Sequence, residues 1–116
     1  MDRNLDEASK LEKQAEKEFK GSFFGNMFGS KENRGEKAIE CLTEACNLYK
    51  LSKLFGDSGR CYERIAEIQS EIGISSADAY EEAAHSYSFV DPQKTILVTN
   101  KAMKIYEKQG RFQNVI

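Results

Sequence analysis

Three segments of the chain share one small-then-aromatic spacing: Ala45 and Tyr49 in EACNLY, Ala83 and Tyr87 in EAAHSY, Ala102 and Tyr106 in KAMKIY. Ala83 follows Ala45 by 38 residues and Ala102 follows Ala83 by 19. The skipped register falls on Arg64, with Ile68 four residues on, while the adjacent column reads Cys46, Ile65, Ala84, Met103 and is apolar throughout. An alanine lets two helix backbones approach, and a tyrosine one turn later fills the gap beside it. A 19-residue half-repeat inside a 38-residue repeat predicts an all-α chain. Its antiparallel hairpins would stack in a twisted right-handed solenoid, slightly longer per repeat than the ~34 residues of a tetratricopeptide unit. An ordinary helical bundle with coincidental Ala-Tyr pairs is the alternative.

The 116 residues amount to one domain. Leu5, Ala8, Leu11, Ala15 and Phe19 recur at helical spacing, which predicts an amphipathic helix within residues 1–20. Residues 21–35 read as a glycine-rich aromatic loop and a polar hinge, SKENRGEK. From residue 36 to 116 the chain reads as helical hairpins, with breaks at Gly56, at Gly73–Ser76 and at Asp91–Pro92. Those breaks leave four helices of roughly 16 to 19 residues. Ser76 and Asp91 are expected N-caps, the second placing Pro92 where its missing N–H is harmless. QNVI at the end lies where a further helix would begin, so the chain reads as the front of something longer.

Charge and chemistry exclude several classes. Lys and Arg number 17 against 19 Asp and Glu, so the chain is no general nucleic-acid binder. Cys41, Cys46 and Cys61 sit within apolar helical patterns and read as small hydrophobes of a reducing compartment. One histidine and no Cys-x-x-Cys spacing argue against zinc. There is no phosphate loop, and no nucleophile stands beside His85, so neither an enzyme nor a cofactor is expected. No apolar run resembles a secretory signal or a spanning helix, which predicts a soluble, cytosolic protein.

Two features are left to carry function. FKGSFFGNMFGSK sets Phe23, Phe24, Met27 and Phe28 among Gly21, Gly25 and Gly29. These side chains either fold back to cap the solenoid or enter a membrane interface or a partner's groove; full removal from water would gain about 6–12 kcal/mol gross. Ordering a glycine-rich loop consumes much of that gain. The second feature is a basic stripe: Lys94, Lys101, Lys104, Lys108 and Arg111 fall on one helical face, and Lys50 and Lys53 would extend it. Such a stripe is either a solvated face or a surface for an elongated acidic partner.

GSFFGNMFG, EACNLYKLSKLFGDSG, DPQKTI and KAMKIYEKQGRF together resemble the N-terminal part of the soluble NSF attachment proteins, alpha/beta or yeast type, from about Glu7 to Ile116. The resemblance implies stacked helical hairpins and a non-enzymatic adaptor in SNARE disassembly during vesicle fusion, cytoplasmic and peripheral on membranes. It implies an anionic membrane surface for Phe23, Phe24, Met27 and Phe28, and the assembled SNARE bundle for Lys53, Lys101 and Arg111, with Lys50 included by proximity. It implies the NSF hexamer as a partner through the family's C-terminal part, which this chain lacks; the chain should therefore not activate that ATPase alone. Ser88 and Phe89 stand where relatives often carry lysine, and Gly35 is unexpected. A generic tetratricopeptide-like peptide binder is the alternative function.

Overall fold

A computed structural model of the chain describes residues 3–21 and 29–110. Five helices make up these residues: α1 (Arg3–Lys20), α2 (Lys31–Leu51), α3 (Phe55–Glu71), α4 (Ala77–Tyr87) and α5 (Pro92–Lys108). Each packs chiefly against its neighbours in sequence. Ion pairs join α1 to α3 and α3 to α5, so the odd helices lie side by side with α2 and α4 alternating behind them. The result is a slab with extents of 47 × 38 × 18 Å, the hairpin stack that the Ala-Tyr repeat predicts.

The repeat residues form the core. Ala45, Tyr49, Ala83, Tyr87 and Ala102 are all buried, while Tyr106 is half-buried and its hydroxyl donates to Asp78 and Glu81 of α4. The adjacent column fades along the chain: Cys46 and Ile65 are buried, Ala84 is half-buried and Met103 is exposed. Cys46 and Cys61 are buried free thiols and Cys41 is half-buried.

The helix boundaries differ from expectation in three places. SKENRGEK is not a hinge: the Ser30 hydroxyl caps the Asn33 N–H at 3.1 Å, and α2 begins at Lys31. Gly35, inside that helix, lies against the C-terminal end of α3 and its cap residue Ile72. A Cβ there would lie 2.8 Å from Ile72 Cγ2, so the bare backbone is what admits the isoleucine. Gly56 does not separate helices but sits in the first turn of α3, and α4 is only 11 residues long. Asp91 caps α5 through the Lys94 N–H at 3.1 Å, with Pro92 in the first turn. Ser76 occupies the N-cap position of α4 without a capping bond from its side chain; the Ser75 hydroxyl accepts the Ala77 N–H instead, at 3.5 Å.

Two turns share one backbone solution at opposite edges of the slab. After α2, the Leu54 N–H donates to the Tyr49 carbonyl (2.8 Å) and the Lys53 N–H to that of Lys50 (2.9 Å). After α3, the Ile74 N–H donates to the Gln69 carbonyl (2.9 Å) and the Gly73 N–H to that of Ser70 (3.3 Å). This closure needs a left-handed residue, and the positions are Gly73 (φ 85°) and, against type, Lys53 (φ 60°).

Candidate partner-binding face

Four members of the predicted stripe, Lys94, Lys101, Lys104 and Lys108, line two neighbouring hollows along α5. Lys94 and Lys101 share a cleft of about 200 Å³ with Glu63, Leu97 and Val98. Lys101, Lys104 and Lys108 line a groove of about 460 Å³ together with Ile74, Tyr80 and Ile105. Tyrosines of α4 lie beneath the two upper lysines: Lys94 Nζ is 5.4 Å from the Tyr87 ring centre and Lys101 Nζ is 5.5 Å from that of Tyr80. The fixed negative charge here is Glu63 of α3, which accepts the Tyr87 hydroxyl and stands 4.0 Å from Lys101 Nζ. Burial and then the Glu63 bond push the Tyr87 hydroxyl far above its ordinary value, so it remains a donor. Lys104 and Lys108 make no ion pair among the described residues.

Lys50 and Lys53 line neither hollow. Lys50 Nζ donates to the Tyr62 hydroxyl at 2.7 Å, a bond that raises its pKa and fixes the ammonium on α3. Lys53 is exposed at the tip of the α2–α3 turn, held in the left-handed conformation that usually selects glycine. For a residue with a Cβ that conformation costs about 1–2 kcal/mol. Arg111, Phe23, Phe24, Met27 and Phe28 lie outside the described residues. The anchors of the aromatic segment are described: the Arg34 guanidinium donates to the carbonyls of Phe19 (3.2 Å) and Gly29 (2.9 Å), bracing both of its ends.

Sequence reasoning missed Glu63 and the tyrosines under the lysines, which come from two other helices, and it missed the role of Arg64. That residue breaks the alanine column because it reaches across to α1: its guanidinium pairs with both oxygens of Glu16 (2.7 and 3.0 Å) and covers the Phe19 ring. His85 is exposed and edge-on to Phe89. Among the described residues no group of three His, Cys, Asp or Glu side chains is placed to hold a metal ion, and no helix is long and apolar enough to cross a membrane.

A stack of helical hairpins with a lysine-lined face defines a helical-repeat scaffold. The soluble NSF attachment protein (SNAP) family model matches residues 6–115, and the chain belongs to that family. It is similar to the beta-soluble NSF attachment protein of Bos taurus, 34% identical over 109 residues that cover 91% of this chain and 37% of the relative. The vesicular-fusion protein SEC17 of Komagataella phaffii is 30% identical over 92 residues, 73% of this chain and 29% of the relative. The human alpha-soluble NSF attachment protein is 29% identical over 79 residues, 66% and 27% respectively. The chain thus spans about a third of the length of the curated relatives it matches. No solved structure matches it.

Proposed function

We propose that the chain is the membrane- and SNARE-contacting part of an adaptor in SNARE disassembly, acting without catalysis at the cytosolic face of membranes. Its membership of the attachment-protein family over residues 6–115 carries the reading. The α5 lysines and the strained Lys53 support it: an assembled SNARE bundle is a long acidic rod, and positive side chains spread along an exposed face suit such a partner. Lys53, Lys101 and Arg111 are the proposed contacts, with Lys50 a lesser one because Tyr62 already holds it. Phe23, Phe24, Met27 and Phe28 are proposed to enter the membrane interface. The alpha and beta relatives are named as NSF attachment proteins, and recruitment of that ATPase is assigned in this reading to the family's C-terminal part.

The test is capture of an assembled SNARE bundle across a salt series, comparing the chain with a Lys53→Ala/Lys101→Ala/Arg111→Ala variant. Binding should weaken steeply with salt and be lost first in the variant, because exposed charge pairs are screened over about 8–10 Å near physiological ionic strength. Salt-independent binding, or none at low salt, overturns the reading in favour of an apolar peptide groove or another role.

A further inference from the structure

We propose a second membrane contact: the groove between the α3–α4 turn and the end of α5 takes an anionic phospholipid headgroup, with Ile74 entering the interface beside it. The inference rests on the reading that the 22–28 segment meets the membrane, and extends it to a different part of the chain.

Four observations converge. First, Ile74, the residue that ends the closure after α3, stands 49% exposed. Gly73 beside it faces open space, since a Cβ there would meet nothing within 4 Å. Second, the groove has apolar walls in Ile74, Tyr80 and Ile105, is rimmed by Lys101, Lys104 and Lys108, and has no carboxylate in its lining. That charge balance selects an anion with an apolar neighbour. Third, the groove is held in shape by the Gln109 side-chain amide, which donates to the Ser75 hydroxyl at 2.8 Å and ties the end of α5 to the turn.

The fourth observation is position. α2 and α3 run antiparallel, with Lys31 at the start of α2 paired to Glu71 at the end of α3 (3.5 Å) and Ile72 packed on Gly35. The α3–α4 turn therefore lies at the same edge of the slab as Gly21 and Gly29, the two anchors of the 22–28 segment. Lys104 and Lys108 sit toward that edge, whereas Lys101, at the upper rim of the same groove, is about 4.5 Å further up α5 than Lys104 and about 10 Å above Lys108 at 1.5 Å per residue. The opposite edge also exposes Leu51, Phe89 and Val90, but Asp57 and Asp91 stand there, and Gly21 and Gly29 do not.

The experiment is co-flotation with phosphatidylcholine vesicles made with and without phosphatidylserine. Wild type is compared with Lys104→Ala/Lys108→Ala, Ile74→Ser and Phe23→Ser/Phe24→Ser, all matched for helical content by circular dichroism. Each lysine near an anionic surface is worth about fivefold in partitioning, so the lysine variant should lose roughly 25-fold on phosphatidylserine vesicles. It should lose little on pure phosphatidylcholine. In an Ile74→Cys/Cys41→Ser background, a fluorophore at position 74 should be quenched by brominated lipid. If the groove variants float like wild type while Phe23→Ser/Phe24→Ser does not, the groove contact is overturned and the loop reading stands. If the groove variants stay behind while the phenylalanine variant floats, the groove is upheld and the loop reading falls. If polyglutamate peptide rather than vesicles shifts the fluorophore, the occupant is an acidic peptide and the lipid assignment is overturned. If wild type does not float at all, both fall.

Discussion

The two flanks of α3 carry opposite kinds of charge pairing. Toward α1, Arg60 and Arg64 meet Glu12 and Glu16 in forked, short pairs, with nitrogen–oxygen distances of 2.7–3.2 Å. Each guanidinium also lies near an aromatic ring, Tyr49 or Phe19. Toward α5, one carboxylate, Glu63, faces Lys101 at 4.0 Å, while Lys104 and Lys108 have no ion-pair partner among the described residues. Arginine's planar fork suits a fixed clamp, and a lysine is a point charge on a flexible stem. The difference teaches that the α1 flank uses charge to hold helices together, whereas on the α5 flank Lys104 and Lys108 are left out of the ion pairing among the described residues.

Gly59→Ala gives the largest expected effect, because it strikes the packing that orders the α5 flank. The new Cβ would lie 2.6 Å from Tyr87 Cε1, on a side chain that is only 1% exposed and bonded to Glu63. A loss of about 2–3 kcal/mol in urea denaturation is expected; a variant as stable as wild type would show that Tyr87 is not fixed and that Glu63 is not held for the lysines.

The direct contrast comes next. Arg64→Ala removes two acid contacts and the cover over Phe19 and should cost about 1–2 kcal/mol, whereas Lys101→Ala should stay within about 0.5 kcal/mol of wild type. Equal losses in thermal or urea unfolding would erase the distinction between clamp and open face. Lys53→Gly should act in the opposite sense, stabilising the chain by about 1 kcal/mol through relief of the left-handed strain while weakening capture of an acidic partner. Stability and binding that moved together would break the idea that this lysine is kept for use rather than for folding.

The smallest effect is in acid. Burial alone would push the Glu12 carboxyl up; hydrogen bonds from Arg60 and Tyr49 and the Arg60 charge outweigh it and hold the group below its ordinary value. A carboxyl depressed in the folded state contributes stability above the ordinary carboxylate pKa, about 4.3, and that contribution is lost as pH falls through the lower folded value. Wild type should therefore lose stability from about pH 4.3 downward more steeply than Glu12→Gln, read by urea midpoints across that range. Parallel curves would mean that the clamp has no electrostatic share.

The fold was legible wherever a pattern repeats within one helix. Ala45 with Tyr49 and Ala83 with Tyr87 predict their own burial, because packed hairpins demand small and large residues in alternation. What periodicity could not carry was anything set by a second helix. Gly35 reads as a hinge in isolation and is instead the notch for Ile72; Arg64 reads as a flaw in the alanine column and is the clamp on Glu16. The lysine spacing on α5 was readable, yet Glu63, Tyr80 and Tyr87, which decide which lysines are held, lie at least seven residues upstream in other elements. The Lys50–Tyr62 bond was unreadable for the same reason, since its partner comes from α3.

Because each helix leans chiefly on the one before and the one after, the slab has no common keystone. Tension applied to one end of such a row would be borne serially, and the terminal helices would peel away before the middle yields. α3, clamped by arginines on one side and packed through Gly59 against Tyr87 on the other, is the natural point at which peeling would stall. A body built in this way can bend and shed its ends under load while its centre keeps its shape.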